Sequence, residues 1–231
     1  MLDISGKWVL LTGASRGIGK LVAGALADEG CRLILHSRKR EHTAALVAQF
    51  EARGLTVHAL EAELSDQRQV IALAEEALRI SGGIDILYND AAIQPPWHDD
   101  MFLTDATEYE LSLQVNTVAP ITLCNLILPG MIERKFGRVV NVTSGVKEQP
   151  QMMAYAASKA ALDKYVYDMA PHLQGTGVAM NLLDPGWLRT DLGGPQAPNA
   201  PESVLPGAMV PVLLDGDTCG KWFSAQDYRE A

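Results

Sequence analysis

The chain has 231 residues and a formal charge of −9, with 48% hydrophobic and 20% charged residues. That balance predicts one folded domain with a sizeable core and excludes a disordered chain. The acidic surplus argues against nucleic acid or an anionic membrane surface as a partner.

Six short runs rich in Val, Ile and Leu read as strands: 7–12, 31–37, 55–62, 84–89, 137–143 and 178–184. Near-continuous apolar runs suit parallel strands covered on both faces. Between the first two, Ile18, Leu21, Val22, Ala25 and Leu26 follow amphipathic-helix spacing, and the helix ends before Gly30. Val70, Leu73, Ala74, Ala77 and Leu78 repeat the pattern between the third and fourth strands. This alternation predicts an α/β fold, a single doubly wound Rossmann domain over 1–231 with a mostly parallel sheet of about seven strands. The stretch from Pro195 to Pro206, with four prolines, reads as part of a loop at about 187–206 that borders a substrate.

Cys31, Cys124 and Cys219 are far apart and form no CxxC pair, so neither a disulfide framework nor a metal site is expected. The early apolar run WVLLTGA is too short for a leader or a membrane span. A cytoplasmic location is the expectation.

The first strand runs into TGASRGIG, Thr12 to Gly19, and then directly into the first helix. Glycines there allow a tight turn and close backbone approach, and the helix N-terminus offers N–H groups to a diphosphate. At the end of the second strand, where an Asp or Glu would hold a free ribose 2′-hydroxyl, the chain has Ser37 and Arg38, followed by Lys39 and Arg40. A hydroxyl and a guanidinium suit a 2′-phosphate, so NADP(H) is expected in preference to NAD(H). Arg16, inside the turn, is expected to grip the same phosphate.

Further along stands YAASK, with Tyr155 and Lys159 one helical turn apart on a common face. With the glycine-rich turn and the parallel sheet, these motifs make nearly the whole chain resemble the short-chain dehydrogenase/reductase family, and in particular its carbonyl-reductase branch. The resemblance implies a catalytic set of Asn116, Ser144, Tyr155 and Lys159. It implies a cofactor site built from Gly13, Ser15, Arg16, Gly17, Ile18 and Gly19 in the turn. Ser37, Arg38, Glu63 and Leu64 would lie at the adenosine end, with Asn89 and Ala91 from NDAA (89–92). Pro185, Gly186 and Thr190 from DPGWLRT (184–190) would lie near the nicotinamide, with Tyr155 and Lys159. The expected chemistry is hydride transfer to a ketone or aldehyde, Tyr155 giving the proton and Lys159 lowering its pKa. Ser144 would polarise the carbonyl, and Asn116 would hold a water chain.

Asp90, Ala92 and Glu63 depart from the residues the family usually has there, which bears on cofactor affinity. Pro171 predicts an end or kink in the helix that begins near Tyr155. Trp97, Met152, Met153 and Trp187 are expected to wall an apolar pocket for a small carbonyl or alcohol substrate, and His98 reads as a surface residue. Family members commonly pair, so a homodimer or homotetramer is implied. Two alternatives stand beside this reading. One is a 3-oxoacyl thioester reductase, with Arg134, Lys135 and Arg138 as a modest docking patch for an acyl carrier. The other is a non-catalytic NADP-binding sensor or scaffold.

Overall fold

The computed structural model describes residues 1–216 and 218–228. The apolar runs form strands β1 (Trp8–Thr12), β2 (Arg32–Ser37), β3 (Val57–Glu61), β4 (Ile86–Asn89), β5 (Gly137–Val142) and β6 (Val178–Asp184), and a short β7 (Trp222–Ser224) follows. All seven are parallel, in the order β3-β2-β1-β4-β5-β6-β7. Several strands begin one or two residues later than their apolar runs. The leading residues of those runs carry the turn into the strand rather than the ladder.

Helices α1 (Gly17–Asp28), α2 (Ala44–Glu51), α3 (Gln67–Ser81), α4 (Ala106–Leu113), α5 (Ala119–Glu133), α6 (Met153–Leu173) and a short α7 (Val210–Leu213) cover the sheet. Strand alternation divides the core in two. Val9, Leu11, Leu33 and Leu35 pack with Val22 and Leu26 of α1 and Phe50 of α2. Leu10, Ile34, Leu87 and Val139 pack with Leu73 of α3, Leu123 and Ile127 of α5 and Val166 of α6. Each such side chain, fully buried, contributes about 1.5–3 kcal/mol.

Local signals set the helix ends. The Asp66 carboxylate caps α3 by accepting the Arg68 N–H at 2.9 Å, and Gly82 stops that helix in the left-handed region at φ +70. Pro171 does not end α6, which runs two residues further to Leu173. The proline lies inside the helix, where its ring nitrogen gives up the one i→i−4 bond it would have made to the Tyr167 carbonyl. Helices α4 and α5 are joined through a π-type turn, Gln114–Val118, into a continuous helical stretch, Ala106–Glu133. By length and composition that stretch is apolar enough to cross a membrane, which the sequence reading did not flag. Here Leu123, Ile127 and Met131 are buried in the core.

Candidate active site

The strand order turns at β1, from which β2 and β4 lead to opposite edges. A doubly wound sheet takes its ligand beyond the carboxyl ends of the strands at such a point. The glycine-rich turn leaves β1 there and the NDAA segment leaves β4. The two are stitched together by Thr12, whose Oγ1 accepts the N–H groups of Asp90 and Ala91 at 3.1 and 3.2 Å. Gly13 has φ +75, and a Cβ on it would stand 2.8 Å from the Ala91 Cα. A Cβ on Gly19 would overlap the Gly13 carbonyl and lie 2.7 Å from the Asp90 carboxylate. Gly19→Ala is therefore expected to destabilise the fold by about 1–3 kcal/mol and to abolish nucleotide binding. Denaturant melts and calorimetric titration check the two effects.

The N-cap residue of α1, Arg16, makes no side-chain cap, so most of the first N–H groups stay open to an anion. Asp90 accepts the Gly19 N–H. With close-packed glycines below and the remaining open N–H groups of the α1 end above, the cradle fits the diphosphate of a dinucleotide.

His36 is a residue of this site that the sequence reading missed. It is buried at the end of β2, with Nε2 3.1 Å from the Ala62 carbonyl and the Gly13 N–H donating to Nδ1 at 3.4 Å. Burial lowers its pKa to about 4, so it is neutral, with the proton on Nε2 facing the carbonyl. It braces the turn against the end of β3. An apolar strand run gave no signal for this role.

Tyr155 and Lys159 lie on α6 beside the carboxyl end of β5, both buried. Lys159 Nζ donates to the Val142 carbonyl at 2.7 Å and stands 5.9 Å from the Tyr155 ring centre. Ser144 faces the Tyr155 phenol and favours its ionised form. Asn116, in the π-type turn, donates from Nδ2 to the Ile93 carbonyl at 2.8 Å and to Ser158 Oγ at 3.0 Å. Its Oδ1 accepts the Ile93 N–H at 2.9 Å. Ser158 Oγ in turn donates to the Tyr155 carbonyl at 2.7 Å. Asn116 thus clasps the loop after β4 to the helix that carries Tyr155. All four expected catalytic residues converge on one end of the sheet.

The electrostatics differ from the expectation in one respect. Burial pushes the Tyr155 phenol up to about 12, against the Ser144 contact, and Asp184 and Asp90 raise it further. Only the Ser144 contact acts to lower it, so the phenol's environment is set by burial and by the charges of Asp184 and Asp90, and not by Lys159 as expected. Burial lowers Lys159 to about 8, opposed by Asp90 and Asp163. Asp163, one turn beyond Lys159, accepts a 2.5 Å hydrogen bond from Thr143 Oγ1. Burial raises Asp90 to about 7, with Lys159 pulling it down. Asp163 is a further residue of the site that the motifs did not flag, although it stands at helical spacing from Lys159, and Asp184, the first residue of DPGWLRT, has no role in the sequence reading.

Several expected cofactor residues have their side chains engaged elsewhere. Ser37 Oγ donates to the Lys39 carbonyl at 2.7 Å, which leaves Arg38 exposed. Glu63 accepts the Ser65 N–H at 3.1 Å, closing its own turn rather than reaching across the crevice. Leu64 is in the core, and Asn89 Nδ2 donates to Asn141 Oδ1 at 2.9 Å inside the sheet. Ser15 and Ile18 are partly buried in the turn, and Gly17 approaches Thr190, whose methyl would stand 3.5 Å from a Cβ there. Gly186 has φ +79 and donates its N–H to Asp184 at 3.0 Å, while the Pro185 carbonyl accepts from Gln226 at 2.7 Å.

Of the expected pocket residues, Met152 lines a small recess with Gln94, Pro95 and Tyr155. Trp97 and Trp187 are 52% and 57% exposed and, with Met153, stand outside that lining. The loop positions of the two indoles leave them half in solvent, bonded to Asp99 and to the Gly193 carbonyl. His98 is not a free surface residue, since its Nε2 lies 2.8 Å from the Glu108 carboxylate.

The family model for short chain dehydrogenases matches residues 7–200. The chain belongs to the short-chain dehydrogenase/reductase family, oxidoreductases that use nicotinamide cofactors on small molecules. It is similar to the ketoacyl reductase HetN of Nostoc sp. (strain PCC 7120), 35% identical over 190 residues, 81% of this chain and 66% of that one. The chain spans about two thirds or less of the length of the curated relatives it matches first. Among solved structures, a blue fluorescent protein from a metagenomic library, in complex with NADPH, superposes with a TM-score of 0.85 at 25% identity over the full length of both chains. An NAD+-bound xylitol dehydrogenase superposes with a TM-score of 0.75 at 28% identity, covering 81% of this chain and 72% of that one.

Proposed function

We propose that the protein is an NADPH-dependent reductase of a ketone or aldehyde, with Tyr155 as the acid. The observation that carries this reading is the convergence of Tyr155, Ser144 and Lys159 beside the glycine-rich cradle, with the phenol held protonated. A reduced nicotinamide, when bound, supplies the hydride. As the carbonyl carbon gains that electron pair, its oxygen takes the Tyr155 proton and the product is an alcohol. Ser144 orients the carbonyl oxygen, and the Lys159 charge stabilises the tyrosinate left behind. Asn116 acts as a positioning residue, because its amide is committed to Ile93 and Ser158. The loop at about 187–206, with Met152 and the two indoles, would close around the substrate. The carbonyl-reductase character and the cytoplasmic location belong to the same proposal.

The neighbours hold NADPH in one case and NAD+ in another. The preference for NADPH therefore rests on this chain's own Arg38, exposed and without an ion pair among the described residues, and on Arg16. One charge-assisted bond to a phosphate is worth about 1.5–3 kcal/mol. Arg38→Ala is expected to lower the ratio of kcat/KM for NADPH over NADH about tenfold or more, mostly through the NADPH KM. Equal losses with both cofactors would remove the preference from Arg38.

A 3-oxoacyl thioester is the second substrate reading, favoured by the similarity to the ketoacyl reductase HetN. The expected docking patch is weakened, because Arg138 is 3% exposed and bonded to the Leu214 and Gly216 carbonyls. Leu111, Leu113, Val118, Leu126 and Ile132 leave an exposed apolar face on the α4–α5 stretch, which supports the expected homo-oligomer. Initial rates of NADPH oxidation against ketones, aldehydes, quinones and a 3-oxoacyl thioester test the reading. Binding of NADPH without turnover on any of them would favour the sensor or scaffold alternative.

A further inference from the structure

Arg16, in the phosphate turn, is bonded across the crevice to Asp191, Nη1 to Oδ2 at 2.6 Å, with the side chains 66% and 67% exposed. The two residues are 175 positions apart in the chain. Asp191 lies in a turn of a loop whose neighbouring residues are tied by hydrogen bonds. Trp187 Nε1 donates to the Gly193 carbonyl at 2.7 Å, Asn199 Nδ2 to the Trp187 carbonyl at 3.0 Å, and the Gly193 N–H to Thr190 Oγ1 at 3.1 Å. Independently of the ion pair, the Thr190 methyl packs toward Gly17. The carboxylate is thus presented to the turn by a braced loop. Arg38, the other guanidinium expected at a ribose phosphate, has no carboxylate partner among the described residues.

We propose that Asp191 is a coenzyme-discriminating residue, a resident carboxylate that competes with the 2′-phosphate of NADP(H) for the Arg16 guanidinium. This rests on the proposed preference for NADP(H), with Arg16 as one of its phosphate-binding groups. NAD(H) offers no 2′-phosphate, so it leaves the Arg16–Asp191 pair intact and gains nothing from breaking it. With NADP(H), part of the Arg16 attraction is offset by loss of Asp191. The carboxylate therefore trims the discrimination that Arg16 supplies and ties it to the position of the substrate-side loop. Exposed ion pairs are weak, so the effect is small: about two- to fivefold in affinity.

Calorimetric binding of NADP+, NAD+, 2′,5′-ADP and ADP at low ionic strength tests this without turnover. The proteins are the native chain, Asp191→Asn, Arg16→Ala and the double variant. Asp191→Asn is expected to tighten NADP+ and 2′,5′-ADP about two- to fivefold, with NAD+ and ADP unchanged. In the Arg16→Ala background the same change is expected to do nothing. If Arg16→Ala weakens NADP+ but Asp191→Asn is silent, or tightens NAD+ equally, the competition is overturned and the phosphate role of Arg16 stands. If Arg16→Ala leaves NADP+ affinity unchanged, the phosphate role of Arg16 falls with it.

Discussion

Tyr155→Phe lowers turnover of any carbonyl substrate by a factor of about 10²–10⁴, the usual contribution of a positioned general acid. The ring stays in its buried place on α6, and only the hydroxyl facing Ser144 is lost. A single neutral hydrogen bond is worth about 0.5–1.5 kcal/mol, so the melting temperature moves by a few degrees at most. Affinity for NADPH is expected to change little, because the diphosphate cradle is built from the turn after β1, the start of α1 and the segment after β4. The check is steady-state turnover beside a thermal melt and a binding titration. A variant that folds, binds NADPH and turns over like the native chain would remove Tyr155 from the chemistry.

The second large effect is at Lys159. Its charge is present below about pH 8 and is lost as pH rises through that value, since burial has lowered its pKa. The phenol, pushed up to about 12, remains protonated throughout that range. Reduction therefore keeps its acid but loses the cation that stabilises the tyrosinate. In the native enzyme, kcat/KM for reduction is expected to fall above about pH 8, the limb reporting the free enzyme. Lys159→Met is expected to cost about a hundredfold or more in kcat and to flatten that limb.

Stability changes in a defined direction as well. Asp90 has a folded-state pKa raised to about 7, so its folded-state penalty appears as pH rises through that value. Without Lys159 the carboxyl is raised further and the penalty grows. The variant's melting temperature should fall more steeply than the native one between about pH 5 and pH 8. Parallel melting curves for the two proteins would contradict the coupling of Asp90 to Lys159.

The sheet was legible because β1, β2, β4, β5 and β6 are buried on both faces and leave runs dominated by Val, Ile and Leu. Only β7 gave a weak signal, since Phe223 is its one buried side chain. The candidate site was legible where local spacing carries it, in TGASRGIG and in Tyr155 with Lys159. What the spacing did not carry is the environment of those groups. The phenol's pKa is set by burial and by Asp184 and Asp90, which come from β6 and the loop after β4. His36 reaches Gly13 from a strand, and Arg16 meets a carboxylate from a distant loop. Nor did spacing announce that Glu63 and Ser37 bond within their own turns. These are long-range or rotameric facts, and no period in the chain encodes them.

The most direct measurement is hydride tracing with NADPH deuterated at the transferable position of the nicotinamide, across the panel of ketones and aldehydes. NADPH oxidation is expected with at least one of them, with deuterium on the carbinol carbon of the product and loss of both signals in Tyr155→Phe. NADPH bound at the cradle with no deuterium in any alcohol, at any pH between about 6 and 8 where Lys159 keeps its charge, would contradict the proposed reductase activity.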